Sequence, residues 1–82
     1  MIIHSKNLIV NTEDFPAIYI TRSNVNCDKY SVVFQSKLDA NANVSITDLE
    51  YSKAAEILSD ISKAIINNKF NLKIAFKSVQ FC

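Results

Sequence analysis

The chain contains no glycine and no tryptophan, and only one proline and one histidine among its 82 residues. Phosphate-cradling loops need backbone conformations that glycine supplies, so a nucleotide site of the glycine-loop type is excluded. Turns with positive φ must instead fall to Asn or Asp, the next most tolerant residues. Candidates cluster at Asn24, Asn26 and Asp28, at Asp39, Asn41 and Asn43, and at Asn67, Asn68 and Asn71. Cysteine is equally scarce. Cys27 and Cys82 lack neighbouring histidine ligands and do not make a zinc site, and no cofactor or metal is expected. A disulfide between them stays open. Long apolar runs are also missing: the longest uninterrupted aliphatic or aromatic stretch is the four residues from Ala17 to Ile20, too short for a membrane span. The first residues, Met1 to Lys6, have no basic segment followed by an apolar one, so a cytoplasmic protein with free thiols is expected.

What is present is a core. The hydrophobic fraction is 49%, well above that of disordered chains. A chain this short folds as one domain spanning residues 1–82 and buries only about 60–65% of its unfolded surface. An apolar excess in so small a unit is expected to be covered by a second copy, so a homodimer is anticipated. The net charge is only +1, which argues against strong attraction to nucleic acid or anionic membrane. Its distribution is uneven. Residues 61–82 carry four lysines and no acid, whereas residues 1–60 carry five cations against eight acids, a net −3. Lys69, Lys73 and Lys77 alternate along the tail and form the candidate anion-binding set, for nucleic acid or a nucleotide signal.

Along the chain, residues 2–10 read as one extended segment or two short ones, ended by the turn-forming Asn11-Thr12-Glu13-Asp14. Pro16 suits the start of a strand or an edge. Ala17 to Thr21 is rich in β-branched and aromatic residues, with Ile18 and Ile20 on one face. Tyr30, Val32 and Phe34 alternate as in a half-buried strand. These two runs predict an antiparallel hairpin with a loop of about seven residues. A short strand follows around Val44 to Ile46. Ala54, Ala55, Leu58, Ile61 and Ile65 then recur at the spacing of an amphipathic helix, with Ser52 as its cap and Asn67-Asn68 as its stop. A start at Thr47, through a capping box with Glu50, is the alternative. Leu72, Ile74 and Phe76 alternate as a last strand, and Val79 and Phe81 on the opposite parity imply a bulge or strand end near Lys77-Ser78. The predicted fold is α+β: a small antiparallel sheet of four to five strands with one amphipathic helix on one face.

Catalytic chemistry finds little support. His4 has no orienting partner in the sequence and reads as a surface or sheet-edge residue. Glu13-Asp14 and Asp48-Glu50 flank turns and a helix start, where acids act structurally. Cys27 lies beside Asp28, whose charge blunts a thiol nucleophile. Tyr19, Tyr30, Phe34, Phe76 and Phe81 fall on strands and read as core aromatics rather than a base-stacking platform. No enzyme is expected. Edges of a small sheet accept another strand readily, which favours protein binding.

The segment Tyr51-Ser52-Lys53-Ala54-Ala55-Glu56-Ile57-Leu58-Ser59-Asp60-Ile61, following short strands, resembles a helix recurring in small accessory proteins of phages and prophages. The resemblance extends over roughly residues 17–66. Ala54-Ala55 and the lack of glycine depart from it, and it carries no functional residue. It implies a mobile-element accessory protein, a group that includes anti-CRISPR and other anti-defence inhibitors. On that basis the expected function is non-catalytic binding of a larger protein target. Anion binding through the lysine edge, or an antitoxin-like structural subunit, stands as the alternative.

Overall fold

The computed structural model describes residues 1–5, 8–23, 28–74 and 78–81. Its order is β1 (Ile2–Ser5), β2 (Leu8–Asn11), a 3-10 turn (Thr12–Asp14), β3 (Ala17–Arg22), β4 (Tyr30–Gln35), a second 3-10 turn (Ala40–Ala42), β5 (Val44–Leu49), α1 (Tyr51–Ile66), β6 (Asn71–Lys73) and β7 (Ser78–Phe81). The α+β class and, among the described residues, the one α-helix agree with the sequence reading. The sheet arrangement differs: the strands form a three-stranded sheet, β2-β1-β6, and a four-stranded sheet, β3-β4-β5-β7.

The tail explains the difference. The expected single last strand is two strands in different sheets. β6 lies parallel to β1, with Ile3 opposite Leu72, while β7 lies antiparallel to β5, with Ile46 opposite Val79. The parity change between Ile74 and Val79 therefore marks a passage from one sheet to the other. The pairing of β6 with β1 also makes the first sheet mixed rather than antiparallel. The bulge or strand end expected near Lys77-Ser78 falls at residues 75–77, outside the described residues.

One apolar cluster joins both sheets and the helix. Ile3 from β1, Val32 and Phe34 from β4, Ile46 from β5 and Ile57 and Ile61 from α1 are all essentially inaccessible. At about 25 cal/mol per Å² of apolar area removed from water, residues of this size contribute about 1.5–3 kcal/mol each. Phe15 closes the cluster edge-on against Phe34, with ring centroids 6.2 Å apart. β4 is covered on both faces, since Ser31 and Val33 are buried as well as Val32 and Phe34. It is flanked by β3 and β5, and Val33 stands in register between Tyr19 and Ser45. The half-buried alternation read from the sequence is thus replaced by an interior strand buried on both faces from Ser31 to Phe34, with Tyr30 half-buried and Gln35 exposed at its ends.

Polar side chains tie the connections. Asn11 accepts from the Glu13 amide at 3.1 Å, starting the first 3-10 turn. Asn43 accepts from the Ser36 amide at 2.8 Å, closing the β4–β5 connection. Asp39 accepts from the Asn41 amide at 3.0 Å. The Asn11 and Asp39 bonds are local Asx contacts in which a side chain stands in for backbone, while the Asn43 bond spans the seven-residue connection. Positive φ occurs at Asn68 (55°), one of the expected positions, and at Asp48 (61°), which the sequence reading missed. Asp48 sits where the β4–β5 register slips between Tyr30 and Val32, just ahead of the helix.

The helix begins at Tyr51 with Glu50 at the capping position and no side-chain cap, so the expected Ser52 cap is not used. The alternative start at Thr47 fails because Thr47 lies within β5. The stop at Asn67-Asn68 is as expected, with the Asn67 amide donating to the Lys63 carbonyl at 3.0 Å. The buried stripe is Ala54, Ile57, Ile61 and Ala64: Ala54 and Ile61 of the predicted set belong to it, Ala55 and Leu58 are half-buried, and Ile65 is exposed. The stripe is rotated by roughly 70° from the predicted one at 3.6 residues per turn. That rotation leaves Ile65 and Ile66 on the outside, 48% and 74% exposed.

Candidate docking groove

The rotated helix borders an open groove of about 790 Å³. One wall is the outer flank of α1, with Leu58, Ser62, Ile65 and Ile66. The other is the turn into β3, with Glu13, Phe15, Pro16 and Ile18; Met1 and Phe70 close the end. Backbone bonds hold this end in place: the Lys69 amide donates to the Ala64 carbonyl at 3.0 Å, and Ile2 donates to the Phe70 carbonyl at 2.9 Å. They place Phe70 between helix and strand with its side chain 89% exposed. A phenyl ring left in water forfeits the burial gain that drives most phenylalanines into cores. Its grouping with Ile65 and Ile66 makes an apolar patch along the groove, the surface feature associated with macromolecular contact.

The groove's rim is lightly charged. Lys69 and Glu13 are the charged residues among those that line it. Asp14, beside Glu13, pairs with Lys37 at 3.5 Å and so joins the turn to the start of the β4–β5 connection. Chemistry of the catalytic kind is not assembled here: the lining brings together hydrocarbon, one hydroxyl-bearing pair of residues (Thr12 and Ser62) and Asn68. Among the described residues no three metal-ligating side chains converge.

The expected anion-binding lysines are only partly brought together. Lys69 sits on the groove rim in the turn after Asn68, and Lys73 is exposed at the end of β6. Lys77 lies outside the described residues. Because Asn68 adopts positive φ and β6 starts at Asn71, Lys69 precedes the strand instead of sharing its alternation with Lys73. His4 lies on β1, the central strand of its sheet, half-buried and not at an edge; its carbonyl accepts from the Ile74 amide at 3.0 Å. Of the strand aromatics, Phe34 is buried, Tyr30 half-buried and Tyr19 exposed, while Phe76 lies outside the described residues. Cys27 and Cys82 also lie outside them.

A second exposed region surrounds the start of α1. Tyr51 meets Tyr30 edge-on at 5.1 Å, the Arg22 guanidinium lies 5.9 Å from the centre of the Tyr30 ring, and Lys29 forms an ion pair with Glu50. The Glu50 carboxylate holds the Lys29 ammonium above the usual lysine range, by hydrogen bonding first and charge second. These contacts join the β3–β4 hairpin to the helix start and read as structural.

Sequence reasoning missed the groove because it assigned Ile65 to the core and passed over Phe70. The available signal was the width of the apolar arc in the second half of α1. Ile57, Leu58, Ile61, Ala64, Ile65 and Ile66 cover more than one face, so some must remain outside. Among the described residues, no helix is long and apolar enough to cross a membrane. Comparison with protein-family models, with curated proteins and with solved structures gave no match.

Proposed function

We propose that this chain is a non-catalytic protein-binding protein whose docking site is the groove between α1 and the turn into β3. The observation that carries the reading is the exposure of Ile65, Ile66 and Phe70 along an apolar groove. Its lining suits a partner's apolar side chains and holds no paired nucleophile and base. Small size and sheet ends that carry no further strand among the described residues support the same reading. In its concrete form the partner is a larger protein, and the chain acts by occupying that protein's surface, as an inhibitor of the anti-defence type does. This last step rests on the resemblance of the Tyr51–Ile61 segment to phage accessory proteins.

The test is affinity capture from a bacterial lysate with the full chain and two variants. Phe70→Asp should lose the captured protein while keeping the wild-type circular dichroism spectrum. Lys73→Glu/Lys77→Glu, which leaves the groove rim unchanged, should retain it. Identical capture by wild type and Phe70→Asp would reject the groove. Capture of nucleic acid that vanishes in the lysine variant would replace the reading with anion binding.

A further inference from the structure

We infer that the groove takes an extended segment of another protein, which adds to the outer edge of β3 as a further strand and sets its alternate apolar side chains against α1. This rests on the groove reading and deepens it by naming the partner's backbone form and side-chain pattern. β3 ends the four-stranded sheet, and among the described residues no strand lies beyond it. The groove lies beside this end: Phe15, Pro16 and Ile18 line it from β3 and the turn before it, and Leu58 and Ile65 line it from the helix. One site thus offers backbone and apolar contacts together.

The backbone directions follow from the ladder. The Ser23 amide donates to the Lys29 carbonyl at 2.9 Å, in the register that sets Thr21 opposite Ser31 and Tyr19 opposite Val33. Bonded and non-bonded pairs alternate along an antiparallel ladder, so Thr21 and Tyr19 bond inward to β4. Ile18 and Ile20 therefore direct their amides and carbonyls away from the sheet, and among the described residues nothing pairs with them there. Pro16 has the same outward parity, where its missing N–H costs no bond within the sheet. These outward groups separate an extended partner from a helical one. A helix satisfies its own backbone and uses only the groove, whereas a strand uses the edge as well.

The side chains set the pattern. Ile18 and Ile20 pack against the core cluster yet are only half-buried, on the strand that meets α1. A strand laid beside them turns every second side chain into the space between β3 and Ile65. Its other side chains stand beside exposed Tyr19 and Thr21 and are free to be polar. A second copy of the chain is a poor source of such a strand. In β2, β3 and β6, three of the four strands at sheet ends, the apolar alternates already serve their own core: Leu8 and Val10 are buried, and Ile18, Ile20 and Leu72 pack against the same cluster. A folded copy offering one of these edges has no free apolar face to fill the groove. An extended tail or loop of another protein, not packed into a core of its own, has one.

The test selects a library of short random peptides on the immobilised full chain and keeps those that bind Phe70→Asp at least about tenfold more weakly. These should carry apolar residues at alternate positions. A synthetic peptide of that pattern is then N-methylated at either its odd or its even amides. Only one set faces β3 in an added strand, so one form should lose about tenfold or more in affinity while the other binds nearly as the parent does. Amide exchange at Ile18 and Ile20 should slow in the complex, and that of Tyr19 and Thr21, already bonded to β4, should change little. Equal affinities of the two methylated forms, or unchanged exchange at Ile18 and Ile20, overturn the inference. Phe70-dependent peptides with apolar residues three and four apart also overturn it, and leave the groove standing as a helix site. No Phe70-dependent peptide at all rejects the groove and the strand together. In sedimentation equilibrium, a dimer that the peptide dissociates would assign the edge to a second copy and overturn the inference as well.

Discussion

Two phenylalanines at opposite extremes of exposure allow the same substitution to test both core and groove. Phe34 is fully buried and packed edge-on against Phe15, whereas Phe70 is 89% exposed. Phe34→Ala removes a buried ring and leaves a cavity, at a cost of about 3–5 kcal/mol. The whole stability of an 82-residue domain is about 4–12 kcal/mol, so that loss consumes a large share. At roughly 4–8 °C per kcal/mol for a domain of this size, the melting temperature should fall by at least about 12 °C. Phe70→Ala removes a ring that buries little, and its effect on stability should stay within about 0.5 kcal/mol. Its cost should appear in binding instead. A ring that becomes buried against a partner contributes about 1.5–3 kcal/mol, which weakens affinity about 10- to 150-fold when lost. Circular dichroism melts of the two variants, with a binding titration for Phe70→Ala, measure both quantities. Equal losses of stability would mean that Phe70 packs inward, and the groove argument would collapse. A nearly wild-type melt for Phe34→Ala would mean that the β3–β4 register is displaced by one residue.

Backbone and charge give two further expectations. Asn68→Gly should raise stability slightly and Asn68→Ala lower it by about 1 kcal/mol, because a Cβ is disfavoured at its φ of 55°; urea midpoints resolve the two, and a more stable alanine variant would contradict the turn geometry. The Lys29–Glu50 pair raises the folded-state pKa of Lys29, so its contribution is complete below the unfolded lysine pKa and is lost as pH rises through the higher folded value. Melting temperatures followed through the alkaline range should therefore fall less in Glu50→Gln than in wild type, and parallel curves would show that the pair is broken in solution.

Much of the secondary structure was legible because local chemistry specifies it. Ala17 to Thr21 and Tyr30 to Phe34 are strands wherever half-buried β-branched and aromatic residues alternate, and the observed β3–β4 hairpin has Ile18 opposite Phe34. Asn67-Asn68 ended the helix as read, since Asn tolerates the positive φ that follows a last turn. The helix register was not legible. Its apolar arc spans both the predicted and the observed stripes, and periodicity ranks neither above the other. Contact with β3, β4 and β6 selected Ala54, Ile57, Ile61 and Ala64 for the interior.

The sequence by itself determined the class of fold, the extents of most elements, and the absence of a glycine-loop nucleotide site. Those follow from residue type and spacing within a few neighbours. Tertiary structure decided which sheet each tail strand joins, since β6 pairs with β1 across almost the whole length of the chain, and a short strand carries no label for a partner so distant. It also decided that Phe70, apolar enough for any core, stands in water at the mouth of a groove. That outcome depends on where the helix end, the first strand and the turn into β3 come together, and no single one of these segments specifies it.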